Sequence, residues 1–246
     1  MNGEAGRRAR MAEAESAVRE LYAALEELAQ GQERACGPGC ATCCTDRVLL
    51  TGVEARLLAA HLAKQAGEGG RELLGLVLKS PVAAGGRPAS TVNGLARRCV
   101  LGQEPPAEDE PPGPPGVCPL LAEGLCRAYQ ARPLACRVMI SRRQCQTGGW
   151  ADQDSWWLTL GTAFFQLVEQ ASAGEPFGLL PEVLAAEDGA AGPGLLVCEN
   201  LAGIPAPPEH QARLGGILEK LFQRPCAGEP LGLRLNRLRL EQPGFA

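Results

Sequence analysis

Eight of the 11 cysteines in this chain fall into two tight bunches, Cys36, Cys40, Cys43 and Cys44 in one and Cys118, Cys126, Cys136 and Cys145 in the other. Any fold the chain adopts has to find a place for these thiols. The first bunch reads Cys36-Gly-Pro-Gly-Cys40-Ala-Thr-Cys43-Cys44, and gaps of two or three residues are the reach needed to wrap several thiolates around one ion or cluster. Two adjacent cysteines make a disulfide reading awkward. Neighbouring side chains of an extended segment point to opposite sides, so Cys43 and Cys44 serve two different metal atoms, or one serves the metal and the other the core.

With 246 residues, 45% of them hydrophobic, the chain can bury a core as one large domain or as one domain with a substantial appendage. A formal net charge of −4 argues against general nucleic-acid binding. The start, Met1-Asn2-Gly3-Glu4, leads into a charged segment without the apolar core of a secretory signal. The apolar stretch around Trp156 to Val168 is too short and too interrupted to span a bilayer. The expectation is a cytoplasmic protein with no membrane partner, in a compartment where thiols stay free unless a metal takes them.

The heptad-like spacing of Met11, Val18, Leu21, Leu25 and Leu28 predicts an amphipathic helix from about Ala9 to Gln32. A β-prone run, Arg47 to Leu50, follows the first bunch. Thr51-Gly-Val-Glu54 then has the form of a capping box that opens a helix to about Gln65 with an apolar face of Leu57, Leu58 and Leu62. A further helical piece lies near Arg71 to Lys79. Six prolines interleaved with Glu104, Glu108, Asp109 and Glu110 mark an exposed acidic loop over 102–117. Around the second bunch the pattern predicts a turn, a short helix ended before Pro133 and a second helical entry. A long helix from about Asp154 to Ala173 carries Trp156, Trp157, Leu160, Phe164, Phe165 and Leu167. Helical pieces at Pro181 to Glu187 and Glu209 to Gln223 follow, and Leu231 to Leu240 alternates leucine with polar residues as an edge strand would. Gly189-Ala-Ala-Gly192-Pro-Gly194 reads as a surface loop rather than a nucleotide turn. The fold class is mainly α, an irregular helical domain organised around a cysteine-ligated metal centre with a few short strands. It divides into an N-terminal helix (1–34), a cysteine-cluster metal-binding domain (35–150) and a helical C-terminal region packing on it (151–246).

Cys36, Cys40, Cys43 and Cys44, the helix opening at Thr51 to Glu54, and the stretch Cys118-Pro119-Leu120 through Gly124, Cys126, Tyr129, Arg132-Pro133, Cys136 and Arg137 occur here in one order. In this the chain resembles the zinc- or iron-chelating domain family, the CxxCxxCC or YkgJ-type cysteine-cluster proteins. The resemblance covers roughly Ala35 to Val138, and the first gap here is three residues where the family shorthand has two. It implies bound zinc or iron, with an iron–sulfur cluster among the options. Flagellin lysine methylases look like relatives with a similar cluster, which brings in a protein substrate as a second possibility.

The metal-ligand candidates are therefore Cys36, Cys40, Cys43, Cys44, Cys118, Cys126, Cys136 and Cys145, the last lying outside the resemblance but at a spacing that permits an eighth ligand. Cys99, Cys198 and Cys226 are isolated and read as small buried hydrophobes. His61 and His210 read as packed or capping histidines. Arg132 and Arg137, flanking Cys136, could donate to thiolate sulfurs, whereas Arg142 and Arg143 form an exposed charged turn by default. An all-thiolate set selects zinc or an iron–sulfur cluster over magnesium or calcium, and a doubled cysteine with distant partners suits a cluster slightly better than paired zinc knuckles. Three functions stand at this point: a protein whose metal holds the fold and senses redox state, a protein-modifying enzyme with its site near Arg142 and Arg143, and a metal carrier. The rigid framing by Thr51, Pro119 and Pro133 counts against the carrier.

Overall fold

Alanine, leucine, glutamate and arginine lose little side-chain freedom in a helix, and the opening segment rich in them forms α1 (Asn2–Ala29). The helix starts earlier and ends sooner than its apolar spacing predicts. The structure, a computed structural model, describes residues 2–65, 68–80, 86–107, 115–146, 151–187, 189 and 194–240. Ala14, Ala17, Val18, Leu21, Tyr22 and Leu25 make one buried stripe along α1, the i, i+3, i+4, i+7 pattern of a helix that covers a core.

Beyond the first cysteine bunch, β1 (Leu49–Thr51) runs directly into α2 (Gly52–Lys64). The junction is the expected capping box: Glu54 N–H donates to Thr51 Oγ1 at 3.3 Å and Thr51 N–H donates to Glu54 Oε2 at 2.8 Å. α3 (Glu68–Leu78) folds back on α2. α4 (Val92–Val100), capped by Thr91, has no counterpart in the sequence reading: it is only nine residues long and contains Gly94. The proline-rich loop is exposed up to residue 105, and residues 108–114 lie outside the described residues.

Around the second bunch the predicted turn is a hairpin of β2 (Leu121–Ala122) and β3 (Leu125–Cys126). Its two loop residues, Glu123 and Gly124, both have positive φ, 52° and 74°, as a two-residue hairpin that follows the twist of its strands requires. The predicted short helix is a single 3₁₀ turn, Tyr129–Ala131. Proline at 133 then starts α5 (Leu134–Val138). The aromatic segment forms α6 (Ser155–Ala171), with the Asp154 carboxylate accepting from Trp157 N–H at 2.8 Å. The Trp157 indole N–H in turn donates to Val138 O at 2.7 Å and so fixes the end of α5 against α6.

β4 (Pro176–Leu179) pairs with β1 and with β5 (Leu196–Val197) in an antiparallel sheet of order β1-β4-β5. α7 (Leu180–Glu187) continues from β4. Of the glycine-rich segment 189–194, residues 190–193 lie outside the described residues. α8 (Pro208–Phe222) leads to a second tight hairpin, β6 (Pro225–Cys226) and β7 (Glu229–Pro230). The expected edge strand over Leu231 to Leu240 is instead α9 (Leu231–Arg237). Leucines 231, 235 and 238 fall at i, i+4 and i+7 and are buried, while Leu233 is 60% exposed. An alternating leucine pattern this short satisfies both periods, and the shared core contacts of Leu231, Leu235 and Leu238 decide for the helical one.

Among the described residues the chain is mainly helical, with nine α-helices and a few short strands. Two apolar clusters hold it together. One gathers α1, α6, α8 and α9 around Trp157, Phe164 and Leu167. The other gathers β1, α2, α3 and α7 with Cys118, Leu120 and Ala128, and Cys44, Cys126 and Cys136 pack against it. Among the described residues no helix is long and apolar enough to cross a membrane.

Glu54 joins the two clusters. Besides closing the cap, its Oε1 accepts from Tyr22 O–H of α1 at 2.7 Å and from Leu134 N–H at the start of α5 at 2.8 Å. Glu54→Ala orphans three buried donors at ~1–3 kcal/mol each, and urea unfolding should show a loss of about 4 kcal/mol. Burial also pushes the Glu54 carboxyl above the ordinary glutamate value. The folded chain therefore keeps that proton to higher pH than the unfolded chain. The stability linked to this group is full below ~4.3 and is lost as pH rises through the folded value. Urea midpoints taken from about pH 4 to about pH 7 should decline less in Glu54→Gln than in the parent.

Candidate metal centre

The first bunch is a run of tight turns. Cys40 N–H donates to Gly37 O at 3.0 Å, Cys44 N–H to Ala41 O at 3.0 Å and Thr45 N–H to Cys43 O at 3.0 Å. Gly39, at φ 84°, supplies the left-handed residue that such tight winding uses. The segment that leaves these turns pairs with the one that enters the second bunch. Cys118 N–H donates to Cys44 O at 3.0 Å, Asp46 N–H to Gly116 O at 3.1 Å, Gly116 N–H to Asp46 Oδ1 at 3.0 Å, and Thr45 and Val117 form an antiparallel bridge. The two bunches are thereby zipped together across the long intervening loop.

A second tie acts at the other end. Ala35 N–H donates to Ser141 O at 2.7 Å and Ser141 N–H donates to Cys36 Sγ at 3.3 Å. Ser141 is itself held, its hydroxyl donating to Arg143 O at 2.6 Å and accepting from Asp152 N–H at 2.9 Å. This carries the strand of chain that bears Cys145 back toward Cys36.

The thiols sense one another in two overlapping sets, with Cys43 acting on both Cys36 and Cys136. Cys36 is influenced by Cys40, Cys43 and Cys145. Cys44 is influenced by Cys118, Cys136 and Cys126. Cys43 and Cys44 sit at the junction, where the Cys43 S–H donates to the Cys44 sulfur. That bond raises the Cys43 thiol and lowers the Cys44 thiol. Burial first, and then the neighbouring Cys118, Cys126 and Cys43, push Cys136 up to about 12, with Arg132 opposing. Burial likewise raises Cys36 and Cys118. Each thiolate thus makes the next one harder to form, which only a cation among them would reverse. All eleven cysteines are free thiols. Among the described residues no group of three or more His, Cys, Asp or Glu side chains stands, as it lies, in an arrangement that could hold a metal ion.

Arg137 does not turn toward the sulfurs as its place beside Cys136 suggests. It is buried, donates to Arg132 O and Gln130 O at 2.8 Å each, pairs with Glu26 and lies 4.1 Å over the Tyr22 ring. Its task is to lock the loop before α5 onto α1, and the five donors of a guanidinium allow all of this at once. Arg132 stays on the thiol side, 4.0 Å over the Tyr129 ring. Arg142 and Arg143 pair with Asp152 at 2.7 and 3.3 Å and are exposed.

Cys198 and Cys226 are buried as expected, but Cys99 is exposed near the end of α4. A cysteine on an amphipathic helix end reads as apolar in sequence, and the helix faces it outward. His61 bonds to Gln65 and His210 to Thr159, with Trp156 packed edge-on against the His210 ring. Two contributors to the site were not singled out by sequence reasoning, Ser141 and Tyr22. Ser141 carries no motif. Tyr22 lies on the apolar stripe of α1, where a hydroxyl aimed at a buried carboxylate leaves no trace in the spacing.

Replacing Arg137 by lysine keeps the charge but cannot serve two carbonyls and a carboxylate while stacking on Tyr22. The variant should lose about 2 kcal/mol in chemical denaturation, and limited proteolysis should cut it faster within 129–133. No family model, curated protein or solved structure matches the chain, so the chemistry of the site is read from its own contacts.

Proposed function

We propose that this is a metal-binding protein in which Cys36, Cys40, Cys43 and Cys145 form one four-thiolate group and Cys44, Cys118, Cys126 and Cys136 form the other. The observation that carries the reading is the antiparallel pairing of residues 44–46 with 116–118, anchored by Cys118 N–H on Cys44 O at 3.0 Å. It brings together thiols that the sequence keeps far apart, with no disulfide to explain the gathering. Doubling the cysteine at 43–44 gives each group a ligand from the same turn. Binding therefore requires side-chain rotation about the Cα–Cβ bonds to turn the sulfurs inward.

The donor set suits zinc or an iron–sulfur cluster, since thiolates favour soft and borderline metals. Zinc would act as a structural clasp, and a cluster would add one-electron redox capacity. Around either, the chain supplies the placing: the Ser141 N–H on Cys36, the Arg132 charge beside Cys136 and the Glu54 carboxylate at the head of α5. A cytoplasmic setting fits free thiols. The alternative of a protein-modifying enzyme related to flagellin lysine methylases draws no support from Arg142 and Arg143, which are taken up by Asp152.

Metal and acid-labile sulfide should be measured together with the visible spectrum on protein purified without oxygen. Iron with matching sulfide identifies a cluster, and colourless protein with about two zinc ions identifies paired structural sites. Protein that holds neither, and takes up neither on reconstitution, overturns the proposal. Cys44→Ser and Cys136→Ser should each lose metal and melt at lower temperature, while Cys99→Ser keeps both.

Alkylation mapped by peptide mass spectrometry supplies a second check. In metal-loaded protein only Cys99 should label rapidly. After chelation Cys40 and Cys43, both exposed, should join it. Rapid labelling of Cys40 and Cys43 with metal still bound would remove them from the ligand set.

A further inference from the structure

A cleft of about 770 Å³ lies between α4, the segment 196–202 and the end of α9's extension, and none of the eight clustered cysteines lines it. Arg97 and Arg98 reach it from α4 and Arg239 from the chain after α9. Glu199 is the one carboxylate among the described residues that line it. Arg97 pairs with Glu199 at 2.7 Å. Arg98 makes only a long contact to Glu104 O, 3.5 Å, and the Arg239 side chain has no partner among the described residues. Among the described lining residues, three guanidiniums against one carboxylate make a local excess of positive charge in a chain whose formal net charge is −4.

The cleft wall is firmly built. Glu169, buried in α6, accepts from Asn93 N–H and from Glu199 N–H at 2.7 Å each. Gln170 Oε1 accepts from Leu201 N–H at 2.7 Å. The Asn93 side chain donates to Gln166 O and Glu199 O at 3.1 and 3.0 Å, tying α4, α6 and the wall into one unit. Asn200 then pins the segment bearing Arg239, donating to Leu240 O and accepting from Leu240 N–H at 2.9 Å each. The N-terminal amides of α4 are already taken by Thr91 and Glu169, so the positive character comes from the guanidiniums. Beside them Val197 and Leu240, 60% and 40% exposed, present apolar surface to the same cleft.

We infer that this cleft binds a small organic anion, with a phosphate or carboxylate head held by Arg98 and Arg239 and an apolar body lying on Val197 and Leu240. A guanidinium fork matches either oxyanion with paired hydrogen bonds. A preformed wall avoids the ordering cost that weakens flexible sites, and convergent charge beside apolar surface is the usual make-up of a small-molecule site. This site is independent of the metal centre.

The test is calorimetric titration of the full chain, as purified, with n-hexyl phosphate, hexanoate, inorganic phosphate and n-hexanol. The expected result is saturable one-to-one binding of hexyl phosphate or hexanoate, tighter than inorganic phosphate and hexanol, and weakening with added salt. Preference for one of the first two names the head group. The double variant Arg98→Gln/Arg239→Gln should bind at least tenfold more weakly, and Val197→Ser should narrow the gap between hexyl phosphate and inorganic phosphate. Both variants alter exposed side chains, and unchanged circular dichroism and metal content show that they fold. Absence of saturable binding by both hexyl anions, or equal affinity in the double variant, overturns the inference.

Discussion

Glu54 is a buried carboxylate, 4% exposed, placed where three separate pieces of chain meet. Its two oxygens accept from the turn that begins α2, from the hydroxyl of Tyr22 on α1 and from the first amide of α5. A buried charge without such partners would be very costly, and with them it becomes a directional joint that no apolar side chain could replace. The start of α5, and with it Cys136, is held by this joint, because α5 is only five residues long. Ser172, whose hydroxyl donates to Thr51 Oγ1 at 2.8 Å, ties the same joint to the end of α6.

From that joint the two cores divide the work. The cluster of α1, α6, α8 and α9 is centred on large apolar side chains, Trp157, Phe164 and Leu167 among them. The cluster of β1, α2, α3 and α7 takes Cys44, Cys126 and Cys136 as part of its edge, so the thiol region is half core and half surface. Packing of this kind sets a conflict. Burial favours the neutral thiol, each neighbouring sulfur adds to the same tendency, and the backbone nevertheless gathers them. Under the proposed function a metal resolves the conflict by turning repelling groups into ligands of one centre, and its binding energy then becomes folding energy.

Polar networks elsewhere repeat the use of a buried acceptor as a fastener. Glu169 does for α4 and the 199–201 segment what Glu54 does for α5, and Arg137 does the converse as a buried donor for the carbonyls of 130 and 132. Such groups are directional, and each needs its partners in place once buried. They account for how a chain with long irregular stretches and short strands keeps its segments in register.

Local features could be read directly from the amino-acid order. The helices α1, α2 and α6, the capping box at Thr51 and Glu54, the strand before it and the gathering of cysteines into two bunches all depend on neighbours within a turn or two, and propensity, capping and periodicity act at that range. The features that escaped are those with two local solutions or none. Leu231 to Leu240 fits both a strand and a helix, and the core contacts of Leu231, Leu235 and Leu238 select the helix. The hairpin at Glu123-Gly124 needs two residues with positive φ, one of them not glycine, and α4 is held by Glu169 and Gln166 from far along the chain. Arg137 looks from its position like a partner for sulfur and is claimed by α1 instead. The sequence by itself determined that the cysteines gather in two bunches and where the main helices lie. Tertiary structure alone decided that the two bunches meet, which thiols adjoin and which arginines turn away, because these depend on hydrogen bonds between segments that no local pattern encodes.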